Sequence, residues 1–338
     1  MFLFTIATLT PALLLILSAF LGGIWVLIAV CFITLFTFLM DRLCRAAAEP
    51  RPDAEFPAGD GLSAFLAQVH LPMLALAVWA VGGGSGMTGW ERAGLLVGFG
   101  LFFGQIAHPN AHELIHRGNR WLGELGKMVY VSLLIGHHVS AHRLVHHVHV
   151  GTDADPSSAR RGEGFWRFAK RGWTGAFRAG LRAENERRAR AGHMSPLSHP
   201  YLHYAGGALV AMALAGLALG PGGLAALIGV AGYAQIQMLL SDYVQHYGLR
   251  RVLRPDGKPV PVGPEHSWNT PHRYSSAMML NAPRHSDHHM HPSRHYPALR
   301  LSPEMPVLPH SLPVMAVIAL WPGLWQRVMD PRLAALGL

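Results

Sequence analysis

The sequence predicts an all-α integral membrane protein: six transmembrane helices with a cytoplasmic histidine-rich helical cap. Three observations predict it. Of 338 residues, 51% are hydrophobic and 14% charged, a balance found in membrane proteins rather than in water-soluble domains. Six apolar stretches approach the roughly 20 helical residues that cross a hydrocarbon layer of about 30 Å. The basic residues gather in the segments on one side of those stretches, the usual topological bias of membrane proteins, so the formal charge of +9 predicts no nucleic-acid partner.

Taken in order, the stretches at about 4–20 and 22–40 turn at Leu21-Gly22-Gly23. Those at about 62–82 and 93–108 turn at "GGGSGMTG", and those at about 203–219 and 222–241 turn at Gly220-Pro221-Gly222-Gly223. All three turns are glycine-rich breakers nearly free of charge. On the other side lie Arg42, Arg45 and Arg51, then a segment at 108–202 holding fourteen of the twenty-eight Lys and Arg residues. The positive-inside rule makes that face cytoplasmic, and an even number of spans puts both termini there with every histidine except His70. The first stretch lacks a basic leader and runs directly into the second, which reads as a retained span rather than a signal peptide. The chain therefore divides into helices 1–4 at 1–107, a cytoplasmic histidine-box and basic amphipathic region at 108–202, helices 5–6 at 203–243, and a cytoplasmic C-terminal histidine-box region at 244–338. In the third span, Trp79 is a candidate end-stop for an apolar substrate channel, its ordinary reading being a lipid-facing or interfacial tryptophan. The stretch "GFWRFAKRGWTGAFRAGLRAENERRARAG" interleaves Trp166, Trp173, Phe177 and Leu181 with basic residues. It reads as an amphipathic helix on an anionic membrane surface, a cytosolic helix packed on its neighbours, or a docking face for an acidic protein.

Histidine is the over-used polar residue. There are 22, nine of them between His108 and His149 and five within "LNAPRHSDHHMHPSRH". The two cysteines, Cys31 and Cys44, allow neither a disulfide framework nor a Cys-x-x-Cys metal site, so a metal here takes nitrogen or oxygen ligands. "AHELIHRG" sets His112 and His116 four apart, on one helical face about a turn from each other; Glu113 makes it a formal match to the zinc-protease pattern H-E-x-x-H. "HRLVHHVHVGTDADP" adds His142, His146 and His147, of which an ideal helix aligns the first two and offsets the third by about 100°. His246 ends the sixth span, and His285, His288 and His289 repeat helical spacing. A lone histidine is ordinarily a surface or core residue, and His149, His193, His199, His291, His295 and His310 are read so. For the clustered nine, turn-spaced sets at helix ends on one side of a membrane point to ligation. Nine nitrogens exceed what one four- to six-coordinate ion uses, which argues for two metals, and imidazole suits zinc, copper, iron and nickel alike. Glu113, Asp153, Asp242, Glu265 and Asp287 are the carboxylates placed to accept a ligand's second ring N–H; each also reads as an ordinary acid.

These residues resemble the membrane-bound alkane 1-monooxygenases, within the wider histidine-box group of membrane desaturases and hydroxylases. The wider group rests on HxxxH at 112–116, HxxxHH at 142–147 and HxxHH at 285–289. The narrower resemblance rests on "HELIHR", "HHVHVGTDADPSSARRGEGFWRF", "DYVQHYGLRR", "HSWNTPHRYSSAMMLNAPRHSDHH" and "YPALR", in order, over about residues 10–305. It implies six transmembrane helices, a cytoplasm-facing non-haem di-iron centre held by the same nine histidines, dioxygen as co-substrate, and terminal hydroxylation of a medium- or long-chain alkane drawn from the bilayer of the bacterial inner membrane. The chain departs from the family at Arg117, often lysine, at Ala141, where the family has glutamate, and at His149, a position often basic. No rubredoxin-type cysteine site, dinucleotide fingerprint or flavin motif is present, so electrons are expected from a separate rubredoxin or ferredoxin with its NAD(P)H-dependent reductase. The competing readings are an acyl desaturase or aromatic-methyl hydroxylase of the same group, a membrane zinc protease built on His112, Glu113 and His116, and a metal transporter, which would place ionisable residues inside several spans.

Overall fold

Apolar side chains at most positions make α1 (Phe2–Leu21) and α2 (Ile24–Leu43) helices suited to lipid. Gly22 and Gly23 separate them at φ 59° and 52°, a left-handed conformation that a side chain would strain. The structure is a computed structural model that describes residues 1–44, 56–192 and 195–338; Arg45, Arg51 and His193 lie outside the described residues. The next pair, α3 (Phe56–Gly82) and α4 (Gly89–Phe102), is joined by a turn that Thr88 and Glu91 close with a capping box. The same glutamate accepts a hydrogen bond from Gly23 N at 2.6 Å, tying the first turn to the second.

From α4 the chain runs through a π turn at Phe103–Ala107 into α5 (His108–Ile115), then α6 (Arg120–Ser132), whose first turn Asn119 caps by accepting from Trp121 N. A short α7 (His138–Ala141) leads into a second π turn, His142–His146. Helix α8 (Phe165–Arg190) packs Phe165 and Phe168 against Tyr243 and gives Trp173 Nε1 to Gln235 at 3.0 Å. Of the three readings of this amphipathic stretch, packing on neighbours accounts for that face, while Trp166 stays exposed.

Helix α9 (Pro200–His246) is interrupted at Gly220, with φ 63° and ψ −155°. A Cβ on Gly223 would lie 2.5 Å from the carbonyl of Ala215, a contact forbidden to a continuous helix rising about 1.5 Å per residue; the chain folds back there. That turn meets the second one, since a Cβ on Gly222 would fall 2.6 Å from the Gly82 carbonyl. The three glycine turns thus share one end of the bundle, and the histidine boxes follow at the other ends of the same helices.

Among the described residues four helices are long and apolar enough to cross a membrane: Phe2–Leu21, Ile24–Leu43, Gly59–Gly82 and Pro200–His246. Leu13, Leu27 and Leu217 on them are at least half exposed, as side chains facing lipid are, and the chain is a membrane protein. The expectation of six spans differs for a local reason. The π turn at Phe103–Ala107 ends α4 at Phe102, short of a full span, and the fifth and sixth stretches are the two halves of α9.

The C-terminal region adds α10 (Arg273–Met278), α11 (His285–Met290), α12 (Leu312–Ala319) and α13 (Pro322–Ala335). Asp41, near the end of α2, accepts from the backbone N–H of Tyr274 and Ser275 at 3.1 and 3.0 Å and so fixes α10. Among the described residues there is no strand, only isolated bridges at Leu253–Pro259 and Asn269–Val307.

Candidate metal centre

Four parts of the chain deliver imidazoles to one place: the C-terminal end of α5, the π turn after α7, the last residue of α9, and α11. Their ring nitrogens form two groups. His112, His116, His142, His147 and His288 make one, and His146, His246, His285 and His289 the other; within each group the nitrogens lie within 4.8 Å of one another. All nine histidines singled out by spacing are therefore brought together.

The second box divides differently from the ideal-helix expectation. In the π turn the N–H of His147 bonds the carbonyl of His142, five residues back, so one wide turn sets the two rings edge to face, with centroids 4.5 Å apart. Their Nε2 atoms are 2.9 Å apart. His146, which an α-helix would align with His142, instead faces His246 and His289, with ring centroids at 4.8 Å from each.

The donor set fits metal ions. His142 Nε2 has the Nε2 atoms of His112, His116 and His147 at 2.8, 3.1 and 2.9 Å. One imidazole nitrogen holds either one proton or one lone pair, so it cannot satisfy three such neighbours. Nitrogens this close are what an ion at about 2.0–2.1 Å from each ligand would gather. In the other group His246 and His289 bring Nε2 to 3.0 and 3.1 Å from His285 Nε2, and His146 Nε2 is buried without a partner. Burial first, and neighbouring imidazoles second, hold His112, His116, His142, His147, His285, His288 and His289 well below the ordinary histidine range. They are neutral at physiological pH, with lone pairs available.

Among the described residues the carboxylate that touches a clustered imidazole is one the sequence reading passed over. Asp155 Oδ2 accepts from His146 Nδ1 at 2.9 Å and is itself held by the Ser158 hydroxyl and the Ser157 N–H. Burial works to depress His146, but the Asp155 carboxylate overrides it and holds the imidazole above its ordinary value. The hydrogen bond itself keeps a proton on Nδ1 and turns the unpartnered Nε2 toward the group. Asp153, two residues earlier, is exposed and lies near Arg250 and Arg160 instead. Glu265 is exposed beside His266. Asp287 is buried but engages Arg294, the Arg300 N–H and His291. Asp242 is buried close to Ser157 and lines the cavity described below.

Glu113 turns to Arg117, 3.2 Å away, and to the N–H of Tyr296 at 3.1 Å. Burial pushes its carboxyl up to about 7 against the pull of Arg117. A carboxylate so engaged is not the free general base that the zinc-protease reading requires. Beside the second box, where the resemblance expects glutamate and the chain has Ala141, the buried carboxylate is Glu184 of α8, which accepts from Ser140 Oγ at 2.7 Å.

A cavity of about 70 Å³ opens against His112, His142 and His285. Gln105, Gln237, Met238, Asp242 and Met279 line it, together with Leu312, Pro313 and Ala316 of α12. Trp79 does not; its ring packs on Phe20, with centroids 5.6 Å apart, near the glycine-turn end of α3. The role of α12 had no signal in the sequence beyond a short apolar run. His108 and His138, also in the lining, had one: each stands four residues before a box histidine.

The fatty acid desaturase family model matches residues 88–317. The chain is 31% identical over 324 residues to alkane 1-monooxygenase 2 of Pseudomonas aeruginosa, covering 92% of this chain and 84% of that protein. It is 32% identical over 265 residues to alkane 1-monooxygenase of Pseudomonas putida and 33% over 254 residues to alkane 1-monooxygenase 2 of Alcanivorax borkumensis. These matches cover 78% and 75% of this chain and span 65% and 66% of the two relatives' lengths. With histidines grouped to hold metal ions beneath a bundle of apolar helices, the chain belongs to the fatty acid desaturase family and, within it, to the alkane 1-monooxygenases.

Proposed function

We propose that the protein is a non-haem di-iron monooxygenase that hydroxylates the terminal carbon of medium- or long-chain alkanes, using dioxygen and two electrons delivered by rubredoxin or ferredoxin. The observation that carries this reading is the division of nine imidazoles into a group of five and a group of four against a cavity in the apolar bundle. Two irons suit two such groups, each within the coordination number of one ion. Iron held there supplies the redox chemistry in which one oxygen atom of dioxygen enters a C–H bond and the other leaves as water, with two electrons and two protons consumed.

The protein's own part is positioning. His112, His142 and His285 form the floor of the cavity, so a chain end inserted from the bilayer is presented to both groups. Met238, Met279, Leu312 and Ala316 keep water from the reacting end. Asp155 keeps the proton of His146 on Nδ1 and the ring oriented.

Six spans follow when α4 with its π turn is taken as the fourth and the halves of α9 as the fifth and sixth. The basic ends then face the cytoplasm of a bacterial inner membrane. Arg117, Arg120, Arg143 and Arg187 line a hollow beside the first two boxes, which suits an acidic electron carrier served by an NAD(P)H-dependent reductase. The test is iron content together with ¹⁸O₂ incorporation, for purified protein with reductase, carrier and a panel of alkanes, fatty acids and xylenes. Two irons per chain and heavy oxygen in a terminal alcohol are expected. An alkene without added oxygen would make it a desaturase, and heavy oxygen absent from every product would end the hydroxylase reading.

A further inference from the structure

One turn inward from the first two boxes stands a second pair of imidazoles that belongs to neither nitrogen group. His108 precedes His112 by four residues, as His138 precedes His142, a helical separation of about 6 Å. Tyr130 lies between them, its ring centroid 5.4 Å from His108 and 4.9 Å from His138, and all three line the cavity. His108 is 2% exposed and His138 6%. Neither nitrogen of His108 completes a hydrogen bond, one only leaning toward the carbonyl of Ala234. The ring of His138 makes contacts with Tyr130 and His142 and, among the described residues, no hydrogen bond. In the same lining Gln105 gives its Nε2 to Gln237 Oε1 at 3.3 Å, and its own Oε1 is buried and unbonded.

An alkane filling this cavity would leave these groups dry and unpaired, and buried polar groups without partners are costly. A neutral imidazole offers one donor and one acceptor, so the pair can meet a hydroxyl, an ether or a carbonyl oxygen. We infer that the cavity is built for a hydrocarbon chain carrying such an oxygen a few bonds from the carbon that reacts, and that His108 and His138 select it. The inference rests on the hydroxylase reading and narrows its substrate from an unsubstituted alkane to an alkyl chain bearing one such oxygen. The one-turn offset from His112 and His142 sets the distance between the oxygen and the reacting end, so position along the chain matters as well as polarity. A site made to hydrogen-bond its substrate discriminates against analogues lacking the group more strongly than an apolar pocket discriminates by size.

The test compares octane with 3-octanol, 3-octanone and an eight-carbon ether, using iron-loaded protein in nanodiscs with reductase and carrier. The parent protein should favour at least one oxygenated chain in kcat/KM by about tenfold, the effect of one lost buried hydrogen bond. His108→Leu combined with His138→Phe should bring that ratio close to one, and Gln105→Leu should lower it separately. The same ligands should raise the melting temperature of the metal-free protein in the same order, which reads occupancy without turnover. If the double variant does not fold, the parent's preference and Gln105→Leu still decide. Octane oxidised as well as every oxygenated chain, with no difference in the melting shifts, overturns the inference and leaves the hydroxylase standing. Ligands that bind in the expected order but gain no heavy oxygen from ¹⁸O₂ leave the cavity's preference standing and overturn the hydroxylase.

Discussion

If the protein holds two irons as proposed, replacing Asp155 by asparagine should loosen one of them and spare the other. The carboxylate accepts from His146 Nδ1 at 2.9 Å, with side chains 4% and 1% exposed, and His146 belongs to the four-histidine group alone. A hydrogen bond to a charged group contributes about 1.5–3 kcal/mol. Loss of an outer carboxylate partner typically weakens metal binding about 10–100-fold, or about 1.4–2.7 kcal/mol, so the two scales agree. Asparagine keeps the volume and an acceptor oxygen and removes the charge. Iron per chain would be measured while a chelator is raised in steps. The variant should release its first iron at about 10–100-fold lower free chelator than the parent, and its second at the parent's concentration. Equal weakening of both irons, or no change in either, would refute the reasoning, because it requires His146 to serve one group only.

Three further outcomes follow from packing and charge. Arg171→Met should cost about 1–2 kcal/mol at pH 7, since Arg171 donates to Glu163 at 2.9 and 2.7 Å and anchors the start of α8. Burial alone would raise the Glu163 carboxyl, but Arg171 and the Arg160 N–H hold it below its ordinary 4.5. The stabilisation is therefore complete above pH 4.5 and lost as pH falls through the depressed value, so melting curves of variant and parent should converge in acid. Gly222→Val puts a side chain where the Gly82 carbonyl lies 2.6 Å from a Cβ and should destabilise the glycine-turn end by about 1–3 kcal/mol; a melting temperature equal to the parent's would contradict that close approach. Asp41→Ala removes the acceptor for two N–H groups at the start of α10 and should cost about 1–2 kcal/mol, seen as faster hydrogen exchange at Tyr274 and Ser275 than in the parent.

What the sequence made legible was whatever depends on residue type and coarse spacing. The nine histidines stand out because few other roles need imidazole at helix ends in four segments, and Gly22, Gly220 and the run at 82–89 announce their turns because helices end at such residues. What it concealed depends on tertiary geometry. The π turn at His142–His146 contains no glycine or proline to betray it, so ideal spacing paired His142 with His146 when the fold pairs it with His147. Asp153 and Asp155 are interchangeable as letters; only Asp155, next to Pro156 and therefore biased to extended backbone, turns inward to His146. Helix α12 is too short to read as a span, and its place over the cavity is set by its packing against α9. His108 and His138 repeat the interval of the boxes they precede, a signal that was open to reading.

The wide turn of the second box also makes its length functional. Were one residue removed between His142 and His147, the segment would tighten to ordinary helical winding and the last ring would keep its place above His142, but His146 would swing away from His246 and His289. Were one added, both rings would lose their register. Along this stretch substitution is therefore an easier route of change than insertion or deletion, and the stagger between two neighbouring imidazoles acts as the gauge that keeps the two nitrogen groups apart.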